Sequence, residues 1–432
     1  MTVPESGKPD YELRVQQELE RFRTVENASD LPAIYQLWHE RYLEPKLRAI
    51  GFVSVDDFFR ASLAERCADH PDSTVAVVAL GSGNAELEIG LAASLAAGGT
   101  TNVEITCLEL NEAMIERAAA AARSAGVESM LSFRRADLNT WTAERRYDLA
   151  LASHSLHHVV ELERLFDQVR LALQPDGRFL INDMIGRNGH MRWPEALALV
   201  QLVWATTPQH YRYNHQLSRY EELYENWDCS TEGFEGIRAQ DILPLLLERF
   251  HPGEFLAFAN VVDLFLDRAF GHNLDPLSEA DRVFIDRVAQ LDDLCIDLGV
   301  VKPTHMIASF CTAPTEQRFY RHWSPAFCVR DPERSFPTVT VTVAGAHETV
   351  PGDASKAGPD DAGQQQVARP ARRLAARLKR VAAAVLGRTA GGVSSSTATD
   401  AGSPGPPRAV TRALATVWHT NRPEQEGGRR PV

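Results

Sequence analysis

Between Val77 and Gly90 the chain reads VVALGSGNAELEIG, a β-branched run that enters a glycine loop and leaves it as a helix. Gly81, Ser82 and Gly83 let the backbone approach a bound nucleotide-type molecule closely, next to a helix N-terminus. The G-x-G-x-x-G fingerprint of pyrophosphate binding is incomplete, because its third position is Glu86, whose carboxylate repels phosphate and crowds helix against strand. NAD and FAD are therefore disfavoured. No Gly-Lys-Ser/Thr follows either, so this is not a P-loop. A phosphate-free nucleoside meets neither objection, and the acids downstream suit one. The run VEITCLEL ends at Glu109 and Leu110, where a carboxylate can accept both ribose hydroxyls. MLSFRRADL ends at Asp137 and Leu138, placing an acid for an adenine amino group and a backbone N–H for a ring nitrogen. Each acid alone reads as a helix N-cap or a surface charge. Their order on successive strand ends is what carries information.

At these residues the chain resembles the class I S-adenosylmethionine-dependent methyltransferases over roughly residues 74–185. The motifs are ALGSGNAELE, CLELNEAM, RRADLNTW and the passage YDLALASHSLHHVVELERLFDQVRLALQPDGRFLINDM, which looks like the small-molecule and lipid-type branch. The resemblance implies S-adenosyl-L-methionine as cofactor, held by Gly81, Ser82, Gly83, Glu109, Leu110, Asp137, Leu138, Ser153 and His154. Ala79 departs from the pattern, since the family usually has an acid there for the methionine amino group. Backbone carbonyls near Ala79 and Ser153, helped by Glu86, are expected to take its place.

Methyl transfer is an in-line displacement at a sulfonium carbon, so alignment supplies most of the catalysis and only a weak nucleophile needs a base. His190, just beyond the fifth strand, is the candidate base. The prolines and aromatic that mark nucleobase-amine methylation are absent from SHSL (153–156), which disfavours DNA adenine as substrate. His154 and His158 stand i, i+4, a spacing that metals use on a helix. Without a nearby third ligand they are read as loop histidines lining the cofactor pocket, with no metal. Tyr211, Tyr213, His215 and Trp227 are candidates for an acceptor pocket or for the core of their own insert. Phe234, Glu235 and Arg238 lie in a glycine-flanked stretch read as a hinge and latch, or as a turn capping a helix. Arg41 and Tyr42 are candidates for the donor's carboxylate, with simple packing of Trp38 and Tyr42 as the alternative. The expected reaction is O-methylation of a small molecule or glycan-type metabolite. A catalytically silent cofactor-binding protein and a nucleotide-dependent oxidoreductase are the alternatives.

The elements that must position these residues follow from periodicity. Residues 11–69 carry apolar positions three and four apart and read as a helical N-terminal cap. Short apolar runs then alternate with helices, predicting an α/β, doubly wound, Rossmann-like sheet of seven strands at 74–80, 103–110, 130–136, 147–153, 177–184, 253–262 and 304–312. The corresponding domains are a cap (1–72), a cofactor-binding core (73–185), an inserted lid (186–245), the completion of the sheet (246–336) and a flexible basic tail (337–432). Net charge is −13, divided into −19 for residues 1–336 and +6 for the tail. An acidic body repels nucleic acid. In the tail, Leu374, Leu378, Val381 and Val385 fall at helical spacing among basic residues, an amphipathic helix near 370–387 suited to an anionic membrane surface or an acidic partner. Docking on the chain's own body and a solvated linker helix stay open beside that reading. The six cysteines are scattered without a C-x-x-C pair, and no run is long enough to span a membrane, so a cytoplasmic protein with reduced thiols is expected.

Overall fold

The computed structural model describes residues 8–23, 31–231 and 233–330. The chain divides into two compact units. Of the described residues, one unit holds 8–200 and 208–330 and the other holds 201–207. The proposed tail helix near 370–387 lies outside the described residues.

The apolar runs form an eight-stranded sheet. In chain order its strands are β1 (Val75–Leu80), β2 (Val103–Glu109), β3 (Leu131–Arg135), β4 (Tyr147–Ser153), β5 (Leu173–Met184), β8 (His251–Phe258), β9 (His305–Cys311) and β10 (Arg318–Phe319), and their spatial order is β10-β8-β9-β5-β4-β1-β2-β3. The strand numbers β6 (Tyr213–Asn214) and β7 (Arg219–Tyr220) belong to a separate two-residue ribbon. Strands β1 to β5 pair in parallel, while β9 runs antiparallel to both β5 and β8. The expectation of seven strands falls short by one, because two-residue β10 is too short to show periodicity.

Helices cover this sheet as its twist and burial require. They include α4 (Val55–Asp69), α5 (Glu86–Ala97), α6 (Glu112–Ser124), α7 (Leu162–Ala172), α9 (Ala239–Arg249) and α10 (Glu279–Asp297). Val77, Ile105, Leu149 and Leu180 are buried along successive strands, which is why the runs read as continuously apolar rather than alternating. Helix α4 starts at Ser54, whose hydroxyl accepts from Asp57 N, and α10 starts likewise at Ser278 with Asp281 N. The N-terminal residues form α1 (Lys8–Phe22), α2 (Ala33–Trp38) and α3 (Glu44–Ala49), with a π-turn at His39–Leu43 between the last two. The segment after β5 carries a 3-10 turn at Asn188–His190 and helix α8 (Pro194–Thr206), followed by the ribbon. No helix among the described residues is long and apolar enough to cross a membrane.

Switching from β4 to β1 and β2 reverses the winding direction, and crossover loops open on the carboxyl edge there. Glu109 ends β2 on that edge and Asp137 follows the end of β3 by two residues.

Candidate functional site

The glycine loop follows β1 and turns sharply. Gly81 and Gly83 have φ of +70° and +57°, and a Cβ on Gly81 would come within 2.7 Å of Ser155 Cβ, so only glycine fits there. Ser155 clamps the turn by donating its hydroxyl to Leu80 O at 2.6 Å. Gly81 N and Ser82 N both donate to Leu108 O, tying the loop to β2. Ala85 ends the loop at φ +56°, a left-handed conformation that an alanine tolerates at some cost.

Glu109, at the end of β2, is fixed by two backbone donors. Gly83 N donates to Oε2 at 2.9 Å and Asn111 N to Oε1 at 2.8 Å. A carboxylate has lone pairs beyond those two, so Glu109 retains capacity to accept from a ligand. Asp137, beyond β3, accepts from Asn139 N at 2.9 Å and from the Tyr11 hydroxyl at 2.6 Å. Tyr11 lies on α1, whose Arg14 also donates to Ser230 O and Gly233 O. The helix therefore reaches over the same edge from outside.

A cavity of about 2240 Å³ runs along this edge. Gly81, Ser82, Gly83, Glu109 and Leu110 line it from β1 and β2. Asp137, Leu138, Ser153, His154 and His190 complete the set expected from the sequence. His154 has φ +51° and is open to the cavity, its Nε2 3.1 Å from the Asn182 amide nitrogen. It does not share a helical face with His158: the chain turns at His154, and His158 Nδ1 instead lies 2.8 Å from Glu18 Oε1.

His190 stands in a second constellation that the sequence did not assemble. His157 Nδ1 is 2.6 Å from Asp183 Oδ1, and Asp183 also accepts from Ser155 N, Leu156 N and Met184 N. Burial alone would lower the His157 pKa, but Asp183 and Glu235 outweigh it and push it up to about 10. Asp183 falls to about 2 in spite of its burial, held down by His157. Glu235 receives His157 Nε2 at 3.4 Å and His190 Nε2 at 2.8 Å on the same oxygen. Those histidines hold the Glu235 pKa far below the carboxylate range against its own desolvation. Gly236 makes the juxtaposition feasible: a Cβ there would sit 3.0 Å from His190 Cε1, and Gly189 N donates to Gly236 O. His157, His190 and Glu235 bring donor atoms within 4.8 Å of one another, a spacing that a metal can also use. With His157 an imidazolium between two carboxylates, hydrogen bonding already accounts for the arrangement.

Other expectations are corrected. Arg41 and Tyr42 bind Asp286 on α10 and do not line the cavity. Tyr211 is buried with its hydroxyl on Asp281 and its ring against Phe284, so it packs on α10 and does not line the cavity. Trp227 does line the cavity although it is largely exposed, and Arg238 is bound to Glu163 and Asp241. At the far end, Arg192 is buried and paired with Asp263 at 3.0 Å. The sequence places Glu235 only in a latch or a helix-capping turn. The hint was its glycine-flanked position, and nothing in the spacing tied it to His157 or Asp183.

Residues 71–229 match a family model described as a methyltransferase domain. No curated protein sequence matches the chain. Among solved structures, it is similar to an O-methyltransferase from a polyketide synthase multienzyme of Brevibacillus brevis in complex with S-adenosyl-L-homocysteine (14% identity, covering 66% of this chain and 78% of that one, TM-score 0.35). It is also similar to the N-methyltransferase NodS from Bradyrhizobium japonicum (12%, 69% and 97%, 0.35). A third similar structure is geranyl diphosphate C-methyltransferase from Streptomyces coelicolor (12%, 69% and 98%, 0.35).

Proposed function

We propose that residues 71–229, which match a methyltransferase domain, use S-adenosylmethionine in the manner of the class I enzymes, and that the chain moves the methyl group to a hydroxyl oxygen of a small molecule. Glu109 accepts the ribose hydroxyls and Asp137 the adenine amino group, with the glycine loop beneath and Leu110 and Leu138 lending backbone. Ser153 and His154 border the methionine arm. The acceptor enters from the side of the segment after β5.

The observation that carries the choice of oxygen is the pairing of His190 with Glu235 at 2.8 Å on the cavity wall. A neutral amine attacks a sulfonium methyl without help, whereas a hydroxyl must lose its proton as the new bond forms. His190 takes that proton while Glu235 stabilises the resulting imidazolium. His157, already charged, keeps Glu235 ionised and in place. The methyl carbon passes from sulfur to oxygen with its electron pair left on sulfur, giving the neutral thioether. Proximity and alignment supply the remaining acceleration.

A second reading makes His157 the base with Asp183 as its orienting acid. It is favoured by their 2.6 Å contact, fully buried, at the ends of neighbouring strands β4 and β5. For that role the proton on His157 must first leave, which its high pKa opposes.

The test is to incubate the purified protein with methyl-deuterated donor and fractionated small-molecule extracts. Tandem mass spectrometry should locate the label as an O-methyl ether or ester that is absent when His190→Ala protein is used. A label found on nitrogen or carbon would overturn the proposal for oxygen.

A further inference from the structure

Glu88 lies in the first turn of α5 and is 5% exposed, yet it lines the cavity beside Ser82, Asn84 and Glu109. Its carboxylate accepts from its own backbone N–H, and among the described residues no cation pairs with it. Its charged neighbours, Glu86 on the same helix and Glu109 on β2, carry the same sign. The Cys107 thiol, also on β2, is the remaining titratable group that feels it. Cys107 is the register partner of Ala79, so Glu88 sits against the strand end that lacks an acid of its own. A dry carboxylate surrounded by like charge is costly unless something positive arrives. Burial and those acids push its pKa up to about 7.

S-Adenosylmethionine brings a cation of the right kind. With ribose at Glu109 and adenine at Asp137, the end of β1 and its loop are left for the amino-acid arm, which carries an α-ammonium group. We propose that Glu88 is the carboxylate that receives this ammonium, supplying from helix α5 the charge for which β1 offers only Ala79. The inference rests on S-adenosylmethionine being the cofactor and adds a residue to its site. Glu86, nearer the loop, is displaced from that role because Glu88 is the acid that is both buried and without a cation.

The experiment compares two ligands on two proteins. S-Adenosylhomocysteine carries the ammonium, and 5′-methylthioadenosine keeps the nucleoside and sulfur without the amino-acid arm. Glu88→Gln preserves shape and is tolerated, because the group is already part-protonated near neutral pH when the site is empty. Calorimetry should show S-adenosylhomocysteine weakened about tenfold or more in the variant, as expected for loss of one charge-assisted contact, with 5′-methylthioadenosine unchanged. Wild-type binding of S-adenosylhomocysteine near pH 7 should release about half a proton per site, read from the buffer dependence of the heat, and the variant should release none. Equal weakening of both ligands would mean a distorted pocket and overturn the proposal, as would unchanged affinity for S-adenosylhomocysteine. Wild-type protein that binds neither compound would overturn the cofactor assignment itself, and the proposal with it.

Discussion

The two ends of the cavity are built differently. At the donor end, Gly81, Glu109 and Asp137 each close one of three strands that are consecutive in sequence and adjacent in the sheet, and backbone N–H groups hold the loop and Glu109 in place. At the proposed acceptor end, His157 comes from the turn after β4, Asp183 from β5, and His190 and Glu235 from two loops, up to 78 residues apart in the chain, and they hold one another through charge. The donor end depends on conformation imposed locally. The acceptor end depends on electrostatics that exist only once the chain has folded.

If that contrast holds, the largest effect on turnover comes from the acceptor end. His190→Ala should lower kcat by about 10²- to 10⁴-fold while leaving the S-adenosylhomocysteine Kd within about twofold, because a general base acts on the acceptor and not on the donor. Steady-state kinetics beside calorimetry separate the two. A variant with normal kcat would move the base to His157.

Next in size are two donor-end changes. Gly81→Ala must place a side chain at φ +70° against Ser155, so it should cost on the order of 1–3 kcal/mol in thermal or denaturant stability and abolish tight donor binding. Glu109→Ala should weaken S-adenosylhomocysteine by about 1.5–3 kcal/mol in a folded protein if the carboxylate meets the ribose as proposed, and it also removes the anchor of Gly83. An unchanged Kd would show that the second strand end addresses some other part of the ligand.

A pH experiment sharpens the electrostatic half of the comparison. The His157 pKa is raised to about 10 in the folded chain, against roughly 6.5 when unfolded, so the stability it contributes is complete below about pH 6.5 and is lost as pH rises toward 10. The melting temperature of wild type relative to His157→Gln should therefore decline across that window. Glu235 has the opposite sign: its folded pKa is depressed, so its contribution is present above its unfolded value, near pH 4.3, and is lost under acid. A wild-type minus variant difference that stays flat between pH 6.5 and 10 would remove His157 as the charged centre of the cluster. The smallest effect is expected for Arg41→Ala, whose half-exposed pair with Asp286 is worth at most about 1 kcal/mol and whose loss should leave donor affinity untouched.

What the sequence determined by itself is the local frame of one edge: the glycine loop, the acids at the end of β2 and just beyond β3, and an α/β sheet wound around them. These features are local, because a strand end, a turn requiring positive φ and the helix that follows occupy neighbouring residues and leave their chemistry in the order of the letters. Even Ala79, the missing acid, was visible as a gap. Only the tertiary structure offers a residue to fill it. Burial without a cation singles out Glu88, and no spacing rule reports burial. His157, Asp183, His190 and Glu235 likewise look like a loop histidine, a strand-end acid, another loop histidine and a turn when read along the chain. Their pKa values and mutual contacts arise from desolvation and charge at short range, and those terms depend on distances in space that residue number does not record.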